Sequence, residues 1–80
     1  MEKEEILSQL NKIFKEELDN EDIVLSYESN GDDIEEWDSL SHIHLVVAVE
    51  KHFKVKFTTV EIMSLKNIGD MCNSVKQKLG

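Results

Sequence analysis

A serine stands where the sequence changes from acidic to apolar. Residues 35–53 read EEWDSLSHIHLVVAVEKHF, and Ser39 follows the carboxylate of Asp38 and precedes Leu40. Asp38 is a good helix N-cap, because its side chain accepts hydrogen bonds from backbone N–H groups of the following turn. Ser39 is therefore predicted to be the first residue of a helix. There it is either an ordinary helix-start serine or a hydroxyl with a chemical role.

A hydrolytic role for Ser39 lacks its partners. A serine nucleophile needs a base within hydrogen-bonding reach and a third residue that orients this base. His42 lies three residues away, but on the predicted core-facing side of the helix, and no oxyanion motif is recognisable. His42 and His44 lie about 200° apart around a helix, so they cannot bind one metal ion together. Each histidine is therefore interpreted as a residue without a chemical role, either exposed at the surface or hydrogen-bonded in the core.

Two other features resemble functional sites without meeting their requirements. The stretch SYESNGDDIEEW, residues 26–37, has the central glycine of an EF-hand loop, but Trp37 occupies the twelfth position, where a bidentate glutamate is needed. Cys72 is the only cysteine, which excludes an internal disulfide and favours a reducing compartment. Since Cys72 lies on the apolar stripe of the last predicted helix, a buried thiol is favoured over a reactive one.

Composition and charge limit the fold class and the partners. The 80 residues predict a single domain, 1–80, and the absence of proline together with only three glycines favours an all-α fold. Residues 1–38 contain 14 Asp and Glu against 3 Lys, and residues 39–80 contain 3 against 6, so −11 and +3 give the net charge of −8. This balance repels nucleic acids. The sequence shows no basic leader and no long apolar run, which predicts a cytoplasmic protein without membrane insertion.

Four amphipathic helices are predicted from the spacing of the apolar residues. The first covers residues 3–18, and the second runs from Ser39 to about Phe53. A short third helix follows the capping-box pair Thr58 and Glu61, and Asn67 can cap the last helix. Residues 19–38 form a long loop, which in a small domain is often functional. Its predicted apolar anchors are Ile23, Leu25, Tyr27, Ile34 and Trp37.

The second helix is predicted to be apolar on two opposite sides. The stripe predicted to face the core consists of Leu45, Val46, Val49 and Phe53. The opposite stripe, within about 60° on the helix, consists of Leu40, His44, Val47 and Lys51. Exposed apolar side chains beside a histidine and a lysine suggest a docking surface for a partner, although scattered surface apolar residues are normal.

The order of these features resembles the acyl carrier protein family over essentially all 80 residues. The motif Asp38-Ser39-Leu40 opens the second helix after a long acidic loop, and a VKF segment, a short third helix and an amphipathic last helix follow. The resemblance implies a four-helix bundle with a long loop between helices 1 and 2. It also implies a carrier and not an enzyme. In that family a phosphopantetheinyl transferase attaches 4′-phosphopantetheine from coenzyme A to the serine of this motif, and acyl groups are carried as thioesters on the terminal thiol of the arm. The resemblance therefore implies that Ser39 is the attachment residue.

The chain departs from the common fatty-acid carriers close to the serine. Those carriers have carboxylates where this chain has Ser41 and His44, and a Gly-Ala pair where it has Glu36-Trp37. The resemblance therefore predicts a specialised bacterial carrier of a dedicated pathway, served by its own acyl-loading, acyltransferase or synthase enzymes. The residues predicted to be recognised by the transferase or by partners are Asp38, Leu40, Ser41, His44, Val47 and Lys51.

An apolar cleft between the second and third helices is predicted to shelter the acyl chain, with a filled core as the alternative. Its predicted lining consists of Val46, Phe53, Ile62, Met63 and Ile68. Two other functions stay open at this point. An aminoacyl or peptidyl carrier of non-ribosomal synthesis would share Ser39 and the fold, whereas an unmodified helical adaptor would use only the Leu40 and Val47 stripe. The resemblance favours a monomer.

Overall fold

Four α-helices follow the apolar spacing of the sequence. The computed structural model describes residues 1–79. Its helices are α1 (Lys3–Glu17), α2 (Ser39–Phe53), α3 (Thr59–Ser64) and α4 (Ile68–Leu79). No strand occurs within residues 1–79, so the predicted all-α class is confirmed. The bounds of α2 are those predicted, whereas α1 ends one residue earlier than predicted.

A single hydrophobic core lies between α1, α2 and α4. α1 packs against both of the other helices. The predicted core-facing stripe of α2 is buried, and so is the apolar stripe of α4 as far as Val75. The fully buried side chains are Ile6, Leu10, Phe14, Leu45, Val46, Val49, Ile68, Met71, Cys72 and Val75.

The long loop between α1 and α2 is fixed to α1 by one amide side chain. Asn11 donates from Nδ2 to the carbonyl of Ile23 at 3.1 Å, and its Oδ1 accepts the N–H of Leu25 at 2.6 Å. Both loop residues are buried, as is Trp37, and the other two predicted anchors are partly buried. The loop therefore follows a defined path toward the start of α2.

The same loop also caps the beginning of α4. The N–H groups of Ile68 and Gly69, which have no partner within the helix, donate to the carbonyls of Ser29 at 2.9 Å and Tyr27 at 2.7 Å. A Cβ atom at Gly69 would lie 3.0 Å from the Tyr27 carbonyl oxygen, so a larger residue would have to push the loop backbone away, which glycine avoids.

The predicted capping box is present at the start of α3, and one of its residues also contacts α4. The Thr58 hydroxyl accepts the N–H of Glu61 at 3.1 Å, and the Glu61 carboxylate accepts the N–H of Thr58 at 2.7 Å. The Nζ of Lys78 donates to the same carboxylate at 2.9 Å, which ties α4 to α3. This hydrogen bond from Lys78 is the main reason that the pKa of Glu61 lies below its ordinary value.

Candidate functional site

The start of α2 presents Ser39 to solvent. Asp38 has an extended backbone and caps the helix, with its Oδ1 accepting the N–H of Ser41 at 2.9 Å. This backbone hydrogen bond holds the pKa of Asp38 below its ordinary value. Ser39 is the first residue of the helix and is exposed. A helix N-terminus favours a nearby anion, so the position suits a serine that carries a phosphate group.

An open cleft of about 450 Å³ lies beside Ser39, between α2 and α3. Two of the residues predicted to line a cleft, Ile62 and Met63, do line it. The complete lining is Gly31, Asp32, Trp37, Asp38, Ser39, His42, Ile43, Ile62, Met63, Leu65 and Lys66. The cleft therefore combines apolar side chains with charged and polar ones at its rim.

The other three residues predicted to line the cleft lie elsewhere. Val46, Phe53 and Ile68 are buried in the core cluster and do not line this cleft. The reason is that their side chains are covered by the packed interior, which leaves them no free surface toward α3. Of the five residues predicted to line the cleft, two therefore do so in this structure.

Trp37 and His42 form a hydrogen-bonded wall of this cleft. The indole Nε1 of Trp37 donates to Nδ1 of His42 at 3.0 Å, and Nε2 of His42 lies 3.1 Å from the carbonyl oxygen of Ile62. Since an indole N–H can only donate and a carbonyl can only accept, these two contacts fit the imidazole tautomer that carries its proton on Nε2. With both ring nitrogens occupied, His42 is not placed as a general base for Ser39.

Aromatic contacts hold this wall against the core. The rings of Trp37 and His42 stack with centroids 5.9 Å apart, and the rings of Trp37 and Phe14 of α1 meet in a T-shaped arrangement with centroids 5.1 Å apart. The sequence predicts Trp37 as a loop anchor and His42 as core-facing, but it does not predict the hydrogen bond between them. The only sequence signal was a tryptophan immediately before a helix whose first turn contains a histidine.

The stripe of α2 that is predicted to be a docking surface, opposite its core-facing stripe, is exposed. Leu40 is 71% and Val47 is 41% exposed, and His44 and Lys51 are also exposed. Ser41 is partly buried. Other exposed apolar side chains of these two helices are Ile43 of α2 and Val60 and Met63 of α3, of which Met63 is 78% exposed.

The other features considered are the Cys72 thiol, groups that could bind a metal ion and helices that could span a membrane. Cys72 is buried, and burial raises the pKa of its thiol to about 11, which agrees with the predicted inert thiol. Within residues 1–79, no cluster of three His, Cys, Asp or Glu side chains is arranged to bind a metal ion. In the same part of the chain, no helix has the length and apolarity needed to span a membrane.

Replacing Asp38 tests the cap beneath Ser39. Asp38→Ala should lower the thermal midpoint at pH 7 by a few degrees, because the N–H of Ser41 loses its acceptor. Asp38→Asn keeps an acceptor and should lower the midpoint less. Since hydrogen bonding lowers the folded pKa from 3.8, the charge-dependent stabilisation is complete above that pH and is lost as the pH falls through the folded value. Thermal unfolding from pH 7 to about pH 3 measures this loss. A difference in thermal midpoint between wild type and Asp38→Asn that stays constant over this pH range would contradict the predicted loss.

Comparison with known proteins identifies the family of this site. The family described as "Phosphopantetheine attachment site" matches residues 8–75. Among solved structures, the chain is similar to the solution NMR structure of a holo acyl carrier protein from Geobacter metallireducens. The two are 45% identical, the match covers 91% of this chain and 84% of that chain, and the TM-score is 0.86. No curated protein matches the chain.

These matches agree with a capped helix start, an exposed serine and four helices in the predicted order. Proteins of this family are carriers and not enzymes. They bear a covalent 4′-phosphopantetheine group, and they interact with phosphopantetheinyl transferases and with enzymes that handle acyl groups. The chain therefore belongs to the phosphopantetheine attachment-site family, as an acyl carrier protein with 4′-phosphopantetheine as its covalent cofactor.

Proposed function

We propose that Ser39 is the attachment residue and that the chain presents acyl thioesters to enzymes of a dedicated biosynthetic pathway. The observation that carries this proposal is the position of Ser39, an exposed hydroxyl at the first residue of α2 directly after the cap Asp38. The bound phosphopantetheine supplies a thiol, on which an acyl group is held as a thioester.

The residues around Ser39 fit such a group. The N-terminus of α2 favours the negative charge of a phosphodiester. The exposure of Ser39 leaves its hydroxyl accessible to a transferase, and Asp38 orients the first turn by binding the N–H of Ser41. The open cleft beside Ser39 gives the arm or its cargo a surface on which to lie.

Intact mass spectrometry tests the attachment. The unmodified protein is incubated with coenzyme A and a broad-specificity phosphopantetheinyl transferase. We expect a gain of one phosphopantetheinyl group, because one exposed serine has the required helix-start position. An unchanged mass would overturn the proposal and would favour the unmodified helical adaptor. Loading the product with fatty acyl against aminoacyl donors then tests the class of cargo.

The exposed side of α2 is the proposed recognition surface for partner enzymes. Between Ser39 and Phe53 the only carboxylate or ammonium groups are those of Glu50 and Lys51, whose charges cancel. A partner with a basic patch therefore finds little charge on α2 to attract it. The apolar side chains Leu40 and Val47, together with the acidic loop before the helix, are the features that a dedicated partner would contact.

A double substitution tests this recognition surface. Ser41→Asp with His44→Glu adds two carboxylates at the positions where the common fatty-acid carriers have them. We expect the KM of a general fatty-acid acyltransferase for the holo protein to fall several-fold, because electrostatic attraction promotes encounter. Binding to the dedicated partner should weaken by a similar factor.

The matched control adds the same charge on a different helix. Asn73→Asp with Gln77→Glu also introduces two carboxylates, at exposed positions of α4. We expect this control to leave the KM close to the wild-type value. Equal effects of the two double variants would contradict a local recognition surface, since they would show that only the net charge matters.

A further inference from the structure

We infer that the hydrogen-bonded chain from Trp37 through His42 to Ile62 limits the cleft to short acyl groups. In this arrangement His42 is the residue that sets the length of cargo that the protein can shelter. The inference rests on the proposed attachment at Ser39 and goes beyond it, since it concerns the class of cargo.

His42 lies between the attachment residue and the interior. Ser39, His42 and Val46 are spaced by three and four residues, so they follow one another along the same side of α2. Ser39 and His42 line the cleft, but Val46 does not, and its side chain is only 1% exposed. Along this side of α2 the cleft therefore ends at His42, and the packed core begins one turn further on.

Opening this wall would break two hydrogen bonds at once. An acyl chain that displaced the His42 ring would separate it from the Trp37 indole N–H at 3.0 Å and from the Ile62 carbonyl at 3.1 Å. An alkyl chain has no groups that could replace these bonds, and a buried polar group left without a partner is costly. Trp37 is itself buried and braced by Phe14, so its N–H has little access to water.

The part of the cleft outside the wall fits a short group. Its apolar lining is contributed by Ile43, Ile62, Met63 and Leu65. Ile43 and Met63 are largely exposed, so they can cover the first carbons of a cargo but do not enclose a long chain. Asp32 and Lys66 complete the lining with charged side chains, which offer a long alkyl chain no favourable contact.

The test compares short and long thioesters on Ser39. A phosphopantetheinyl transferase moves the acylated arm of butanoyl- or dodecanoyl-coenzyme A to the Ser39 hydroxyl, with release of adenosine 3′,5′-bisphosphate. Hydroxylamine then attacks the thioester, and intact mass follows the loss of the acyl group. A chain enclosed by protein is protected from such attack. In the wild type we expect cleavage rates for the two chains within about twofold of each other, because the cleft covers the same first carbons of either chain and encloses nothing beyond them.

Removing the imidazole should change this result. In His42→Ala the wall is open, and we expect dodecanoyl to be cleaved at least about fivefold more slowly than butanoyl, because the long chain can now enter. His52→Ala is the matched control, since His52 is an exposed histidine of the same helix that neither lines the cleft nor belongs to the proposed recognition surface. It should behave as the wild type does.

The wild type alone can overturn the inference, even if His42→Ala does not fold. Strong protection of dodecanoyl over butanoyl in the wild type would show that a long chain enters despite the wall. Trp37 is the only tryptophan, so its emission should be the same with either chain; a shift specific to dodecanoyl would contradict the inference. Equal behaviour of folded His42→Ala and His52→Ala would also contradict it. A failure of the wild type to load any acylated arm would instead overturn the attachment at Ser39, and this inference with it.

Discussion

Ser39→Ala is expected to abolish phosphopantetheinylation completely, whereas Ser41→Ala should still gain one phosphopantetheinyl group. The two serines lie two residues apart in the first turn of α2, but only Ser39 is the exposed first residue beside the open cleft. Ser41 is partly buried, and its N–H is bound by Asp38. Intact masses of both variants after incubation with coenzyme A and the transferase give the comparison.

The effect of Ser39→Ala should be chemical and not structural. The side chain of Ser39 is exposed, and substitutions at such positions change the free energy of unfolding by about 0.5 kcal/mol or less. The thermal midpoint of Ser39→Ala should therefore match that of the wild type. Modification of Ser39→Ala at a normal rate would exclude Ser39 as the attachment residue. A loss of modification identifies the attachment residue only when Ser39→Ala is folded, as Ser41→Ala should be, and the thermal midpoint measures this.

Phe14→Ala is expected to cause the largest loss of stability, a decrease of about 3–5 kcal/mol in the free energy of unfolding. Phe14 of α1 is fully buried, and its ring packs against that of Trp37 in a T-shaped arrangement with centroids 5.1 Å apart. The substitution removes apolar contacts from the core and also the support behind the wall of the cleft. For an 80-residue domain, such a loss is a large part of a total stability of about 5–15 kcal/mol.

Phe57→Ala provides the matched comparison for Phe14→Ala. Phe57 is only partly buried at the edge of the core, where the Nζ of Lys78 lies 5.2 Å from its ring centroid. Its replacement should cost less than half as much, because water or neighbouring side chains can fill the space. Urea unfolding monitored by circular dichroism measures both. Equal losses for the two variants would contradict the placement of Phe14 in the centre of the core.

The helices and their caps could be predicted because their signals are local. The bounds of α2 follow from Asp38, which binds a backbone N–H three residues away, and from the apolar spacing that continues to Phe53. The capping box of Thr58 and Glu61 is equally local. Such features depend on neighbouring residues within one turn, and the sequence displays them directly.

The depth of the cleft could not be predicted, because it depends on contacts between distant residues. Helical periodicity placed Val46 and Phe53 on the inner side of α2, but it cannot show whether an inner residue meets a cleft or a packed core. His42 bonds to the carbonyl of Ile62, 20 residues away. A backbone carbonyl has no sequence signal, so this contact and the shallow cleft that it produces became visible only in the structure.

The path of the loop before α2 could likewise not be predicted from the sequence. Ile23, Leu25 and Trp37 were recognisable as apolar anchors, but the amide of Asn11, which binds two loop backbone groups, looks like any polar residue of an amphipathic helix. The same holds for the bond from the N–H of Ile68 to the carbonyl of Ser29. Together these contacts lead the loop to Asp38 and so position the serine that follows it.

The attachment of the arm at Ser39 is tested most directly by locating it in the unaltered chain. The wild-type protein is modified with coenzyme A and the transferase, digested, and the peptide that contains both Ser39 and Ser41 is fragmented in a mass spectrometer. We predict one phosphopantetheinyl group per chain, bound to the Ser39 hydroxyl. A group located on Ser41 or on any other residue, or a peptide that stays unmodified, would contradict the central claim.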